Sequence, residues 1–325
     1  MKKRTILLTA LVAALFAAVA VVQSRQRALL AAAAAEQERA NPVGRPVAPG
    51  GPVVAEAPRI VALDPGLAET IAMLGLGGHL VARTAFTDFP ASVTNLPVVA
   101  DAHGLDLDAL EAAKPDITIL PEPMLSADLH KILGERRISH VSVRTATLSD
   151  FYQSVYELGV RFGAEETARI WLETMDEITG EAAGRVSTAV TRAGGRAPSV
   201  LLVLGRPASS PDRLLAAGRQ SFHQGLLDAL SLPNACPGEV QYSELSPEEA
   251  AALRPDVLVE IRTGGSGDDA AVSALADWAA RPGVPAVRTG DVHVVTDAWA
   301  LRAGPRIDLL LTALADYAAQ WAEKQ

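Results

Sequence analysis

A chain of 325 residues has room for two domains of ordinary size, each with its own core. Its 38 acidic side chains outnumber 29 basic ones, and the net charge of −9 argues against a phosphate-backbone partner, so no nucleic acid is expected. The single cysteine, Cys236, cannot close an internal disulfide, which leaves the fold to be held by its core.

Three cations, Lys2, Lys3 and Arg4, precede an uncharged stretch of 18 residues, 5–22. A secretion machinery reads that pattern, so export to the periplasm is expected. Ala18-Val19-Ala20 fits a small-x-small cleavage site, yet the apolar run also reaches the lower limit of a membrane span. Residues 1–24 are therefore a signal peptide or an uncleaved anchor, and both readings stay open. Residues 25–57 form an Ala- and Pro-rich stalk, with five prolines between positions 41 and 58 and little to bury. Behind a retained anchor, that stalk would tether the domain to the outer face of the inner membrane.

From Pro58 onward, short apolar runs alternate with helical periods. "RIVAL" (59–63) reads as a strand, and "LAETIAMLGL" after it reads as a helix that ends on Gly75 and Gly77. That glycine pair follows a helix instead of a strand, which makes it a C-cap and not a dinucleotide site. "HLVART", "DITIL" and "HVSV" are further strands with helices between them, so residues 58–149 make an N-terminal α/β lobe. Residues 150–195 read as linking helices. The second, over 164–190, is long enough to bridge two lobes stiffly, and Ser149 is placed to cap the first. Residues 196–325 then begin the α/β succession again with "SVLLVL", "SFHQGLLDALSL", "DVLVEI" and "VHVVT". The expected fold class is α/β, with two lobes that each hold a central, mostly parallel sheet flanked by helices, joined by one long α-helix.

One phrase occurs twice. "LDALEAAKPDITIL" (107–120) is paraphrased by "PEEAAALRPDVLVEI" (247–261), with Lys114-Pro115-Asp116 and Arg254-Pro255-Asp256 separated by 140 positions. Proline ends a helix and pushes the preceding residue out of the α region, so each triplet reads as a helix stop leading into a buried strand. The acids six residues upstream of each cation, Asp108 and Glu248, keep the same offset. At the first turn of a helix a carboxylate favours the dipole, so helix capping is one reading of them.

Taken together, these pieces resemble one family. "RIVALDPGLAETIAMLGLGGHLVARTAFTDFP", "LPVVADAHGLDLDALEAAKPDITIL", "SFHQGLLDALSLPNA", "LSPEEAAALRPDVLVEI" and "AWALRAGPRI", in this order around a long helix, are similar to the helical-backbone ABC-transporter substrate-binding proteins, the receptors for cobalamin, ferric siderophores and haem. The resemblance covers residues 58–320. It implies a periplasmic receptor, not an enzyme, that acts as a monomer and delivers a small-molecule metal chelate, a cobalt or iron complex, to an ABC permease dimer. It implies no permanently bound cofactor and no resident metal. It also implies that Asp108 and Glu248, one on each lobe, dock on arginines of the permease.

The ligand is expected in the cleft between lobes, beyond the strand ends. By the resemblance, Phe86, Tyr242, Trp299 and Arg302 fall at ligand-facing positions, and His103 stands where cobalamin receptors carry an aromatic. Arg206 and Arg262 follow strands directly, and with Arg302 they would suit an anionic chelate. The chain departs from the family at Pro65-Gly66-Leu67-Ala68-Glu69, where two hydroxyl residues are replaced. The six histidines, at 79, 103, 130, 140, 223 and 293, offer no helical metal motif at i, i+3 or i+4. A free transition-metal receptor that gathers His103, His223 and acids remains an alternative, as do a membrane-tethered metal-cofactor sensor and a chelatase-like enzyme.

Overall fold

The computed structural model describes residues 58–206, 213–263 and 267–325. The expected signal segment or anchor (1–24) and stalk (25–57) lie outside the described residues. The first lobe is built on β1 (Ile60–Ala62), β2 (Leu80–Thr84), β3 (Val98–Asp101), β4 (Gly104–Leu105), β5 (Ile117–Pro121) and β6 (His140–Val143). These lie in the order β4-β3-β2-β1-β5-β6. Every neighbouring pair is parallel except the tight β3/β4 hairpin. The central strand β1 is buried on both faces, as a strand covered by helices on both sides must be.

Helices α1 (Pro65–Ile71), α2 (Leu107–Ala112) and α3 (Ala127–Glu135) cover this sheet. Asp64 caps α1 by accepting from the Leu67 amide at 3.0 Å, and Pro65 supplies the fixed φ of the first helical position. A left-handed Gly75, φ 83°, closes the turn after α1, in line with its reading as a helix end. Val61, Val99, Leu110, Leu120 and Leu133 fill the core between sheet and helices.

The second lobe holds β7 (Val200–Val203), β8 (Leu214–Ala217), β9 (Tyr242–Leu245), β10 (Val257–Ile261) and β11 (Val292–Val295) in the order β11-β10-β7-β8-β9. Here the expected parallel character holds for only half of the pairings. β10 runs parallel to β7 and β11, but β8 is antiparallel to both of its neighbours. Ten residues, 204–213, separate β7 from β8, fewer than a parallel crossover needs, and β8 pairs antiparallel to β7.

Two helices join the lobes, α4 (Leu148–Arg161) and α5 (Glu165–Arg192). α4 is capped by Thr147 and not by Ser149. The Thr147 hydroxyl accepts from the Asp150 amide at 3.1 Å, and the Asp150 carboxylate accepts from the Thr147 amide at 3.3 Å. α5 has 28 residues, about 42 Å at 1.5 Å each. It buries Ala168, Trp171, Met175, Ala182 and Val186 along one stripe.

After β7 come α6 (Phe222–Ala229), α7 (Pro247–Ala252), α8 (Gly267–Ala279), α9 (Pro285–Thr289) and α10 (Ile307–Glu323). α10 packs along α5 and is apolar almost all round, so it is buried on most of its surface. Arg185 of α5 pairs with Asp316 of α10 at 3.5 Å, and the Arg196 guanidinium lies 4.7 Å from the Trp321 ring centre. The described residues belong to one compact unit, so the two lobes are parts of a single body.

Candidate ligand cleft and docking surface

The doubled phrase folds into the same object twice. Lys114 and Arg254 leave the right-handed helix for the left-handed region, φ 47° and 51°, and so form C-terminal caps ahead of Pro115 and Pro255. Asp116 and Asp256 do more than follow a stop. The Asp116 carboxylate accepts from the Arg59 amide at 2.7 Å, and Asp256 accepts from the Ser199 amide at 2.9 Å. Each aspartate thereby clasps the start of the neighbouring central strand, β1 or β7, to the start of its own, β5 or β10. Arg59 and Ser199 are themselves 140 positions apart. So are the helix caps: Asp106 accepts from Asp108 and Ala109 amides, and Ser246 accepts from the Glu249 amide.

Because Asp106 and Ser246 cap the helices, Asp108 and Glu248 are left out of that task. Their side chains are 88 % and 78 % exposed. Asp108 meets Arg136 at 2.5 Å, and Glu248 meets Arg281 at 3.6 Å. Each lobe thus presents one exposed carboxylate at the start of an equivalent helix, α2 or α7.

The lobes meet through charge. Arg302 of the second lobe bonds Asp88 at 2.6 Å, Glu69 at 3.1 Å and the Phe86 carbonyl at 2.9 Å. Arg306 adds two bonds to Glu69, at 2.9 and 2.6 Å, and lies over the Phe89 ring. Glu69 is buried between both guanidinium groups. Burial pushes the Asp88 carboxyl up, but the Arg302 bond and the charges of Arg302 and Arg306 outweigh it and hold the group below the usual carboxylate range. Gly66 sits at the same junction. A Cβ there would lie 2.2 Å from the Ala303 carbonyl oxygen, so the absence of a side chain lets the two backbones touch. This explains one of the two departures from the family pattern noted above.

Arg302 is therefore already engaged by carboxylates. Arg206 and Arg262 are engaged likewise. The fully buried Glu260 of β10 accepts from Arg262 at 2.8 Å and from the Trp278 indole at 2.6 Å, with Arg206 3.7 Å away. Asp277 bridges Arg206 at 2.9 Å and Arg262 at 3.0 Å. Two acids balance two cations, so this cluster is neutral and not the open cationic trap that the sequence suggests.

The remaining expected ligand residues are scattered in character. Phe86 follows β2 and keeps 54 % of its surface exposed, beside the Arg302 bridge. Tyr242 opens the edge strand β9 and is 40 % exposed. Trp299 lies in the turn Ala298–Leu301 and keeps only 8 %, so its ring belongs to the packing. His103 is exposed on the β3/β4 turn, with its amide bonded to Asp101. His223 is buried in α6, donating from Nε2 to the Ala300 carbonyl at 3.0 Å, and burial pushes its imidazole down to about 4. Among the described residues, no group of three or more His, Cys, Asp or Glu is placed to hold a metal ion. His103 and His223 do not supply the ligand set that a free-metal receptor would need.

Sequence reading missed Glu69, Asp88 and Arg306 at the lobe junction and Arg136 and Arg281 beside Asp108 and Glu248. No local signal marks them, since the junction bonds span 214 to 237 positions.

Residues 60–298 match the model of a family described as periplasmic binding protein, nearly three quarters of the chain. The chain belongs to that family. Family members are exported periplasmic binding proteins, not enzymes, which carry a small molecule to an ABC importer. The vitamin B12-binding protein of Pectobacterium carotovorum is 26 % identical over 262 residues, covering 78 % of this chain and 85 % of that one. A periplasmic heme-binding protein from Pseudomonas aeruginosa is 26 % identical with a TM-score of 0.69, covering 81 % of this chain and 92 % of that one. The periplasmic vitamin B12-binding protein of Vibrio cholerae shares the fold, with a TM-score of 0.65 at 19 % identity, over 83 % and 99 % of the two chains. This chain is thus a periplasmic binding protein that is similar to vitamin B12-binding and heme-binding members. No helix among its described residues is long and apolar enough to cross a membrane.

Proposed function

We propose that this periplasmic binding protein holds a metal chelate with a broad π or apolar face, cobalamin or a ferric siderophore, between its lobes and hands it to an ABC permease dimer. The observation that carries this reading is Phe86. This ring, left more than half exposed beside the charged junction of two lobes, offers a flat face at the place where a ligand would be enclosed. Tyr242 is the second exposed ring in the proposed ligand set, and His103 is its exposed polar member. Trp299 supports the site from within the packing. Arg206, Arg262 and Arg302 reach an anionic ligand only by exchanging Asp277 or Asp88 for it.

The protein acts as a monomer and grips the permease through Asp108 and Glu248, one exposed carboxylate per lobe facing a two-fold partner. Residues 5–22 direct export, and the mass of the mature chain reads whether they remain as an anchor.

A tetrapyrrole such as haem suits the same exposed ring, and the relatives named above include both B12- and haem-binding proteins. The test therefore titrates cyanocobalamin, haemin and ferric siderophores against the purified chain, read by absorbance and by quenching of its four tryptophans. One of them is expected to saturate at one per chain, and Phe86→Ala to weaken it about tenfold, the loss of one stacked ring. Binding of none, or chemical turnover of the bound molecule, overturns the proposal.

A further inference from the structure

Sequence spacing keeps the six histidines apart, but the fold brings two of them into contact. His130 on α3 and His140 at the start of β6 place Nδ1 and Nε2 2.9 Å from each other, with ring centres 4.9 Å apart and the planes at 77°. The other nitrogen of His140, Nδ1, lies 3.1 Å from the Ile138 carbonyl. A carbonyl only accepts, so that Nδ1 carries a proton and His140 Nε2 bears a lone pair. This lone pair points at His130 Nδ1. His130 is exposed and His140 half-buried, so water and ions reach the space between the rings.

This is the arrangement of a metal-ligating histidine. Ligating imidazoles use one nitrogen for the ion and donate the other N–H to a carbonyl or carboxylate, which fixes tautomer and ring orientation. His140 already makes that supporting bond. An ion bound at about 2.05 Å from each of two nitrogens 2.9 Å apart subtends an angle of about 90°, and a small opening of the rings reaches the tetrahedral value.

We propose that His130 and His140 form a two-imidazole surface site for a divalent late-transition ion, the class of Zn2+, Ni2+ and Cu2+. For the ion to enter, the proton on His130 Nδ1 moves to His130 Nε2, so both lone pairs meet the metal and no net proton is lost. Water completes the coordination. The bound ion staples α3 to β6, the edge strand of the first sheet. The site is separate from the proposed ligand cleft, because it uses none of the residues assigned there.

The test is equilibrium titration of the intact chain with Zn2+, Ni2+ and Cu2+ separately, together with the thermal midpoint in each ion. The wild type is expected to bind one ion and to melt higher in its presence, since an ion that binds only the folded state stabilises it. His130→Ala and His140→Ala should each lower the affinity at least tenfold and remove the thermal shift, and the double variant should lose no more than either single one. That non-additivity is the signature of two rings on one ion. His130→Ala places a good helix former at an exposed helical position, so its fold is safe and circular dichroism verifies it. Variants that bind as tightly as the wild type, or losses that simply add, overturn the proposal.

Discussion

The two copies of the acid–helix–cation–proline–aspartate–strand unit agree in backbone and differ in charge. In both, a left-handed cation ends the helix and an aspartate clasps the neighbouring strand. In the first copy, however, Arg59 turns away from the aspartate and bonds the Ala113 and Lys114 carbonyls at the end of α2, at 2.7 and 2.9 Å. In the second copy the matching residue is Ser199, whose hydroxyl adds a 3.0 Å bond to Asp256, and Arg196 comes in from the end of α5 to form two more. The strand clasp recurs because in both copies it gives a partner to the backbone amide just ahead of the central strand. The cation moves freely between copies because a guanidinium on a long stem can approach from several directions.

The strongest way to break the comparison is to remove what the two copies jointly present. Asp108→Ala with Glu248→Ala is expected to abolish ligand uptake in cells while leaving ligand affinity unchanged. Full import by the double variant would remove both acids from the docking role. If the copies contribute equally, each single variant should lie midway on a logarithmic scale.

Next in size is the contact that lies outside both copies and joins their lobes. Glu69→Ala leaves two guanidinium groups facing each other at the junction and is expected to cost about 3 kcal/mol of stability, read by denaturant unfolding. An unchanged midpoint would mean that the junction relaxes at no cost.

The smallest effects sharpen the difference between the clasps. Asp256→Ala loses Arg196 and both Ser199 bonds and should cost about 2 kcal/mol, whereas the exposed Asp116→Ala should cost about 1 kcal/mol. Burial pushes the Asp256 carboxyl up, but the bonds from Arg196 and Ser199 outweigh it and hold the group below its ordinary 3.8. Its stabilisation is therefore complete above that value and is lost as pH falls through the lowered one. The gap between wild type and Asp256→Asn should be constant from neutral pH down to about 4 and shrink below it. A gap independent of pH would show that the charge of Asp256 is not what matters.

The strands at 60, 80, 117, 140, 200, 257 and 292 were legible because each is an apolar run bounded by turn residues. β3, β4, β8 and β9 were not. They are two to four residues long: β4 and β9 have no buried residue, β3 buries only Val99 and Ala100, and β8 is a short run of leucine and alanine that a helix would carry equally well. α10 also escaped notice, because a helix buried on most sides has no polar face to mark its period. Among the site residues, Asp108 and Glu248 were visible through their common offset. Arg206, Arg262 and Arg302 were visible as cations near strand ends, but the acids that engage them were not.

By itself the sequence determined the α/β succession, the long bridging helix and the internal repeat with its register of 140. All of these rest on interactions between residues close in the chain, which leave a period or a punctuation mark. Only the tertiary structure decided which charges are free. Glu69 finds Arg306 across 237 positions and His130 finds His140 across ten. Electrostatic partnership depends on distance in space and carries no spacing along the chain, so the same arginine reads alike whether it waits for a ligand or is already held.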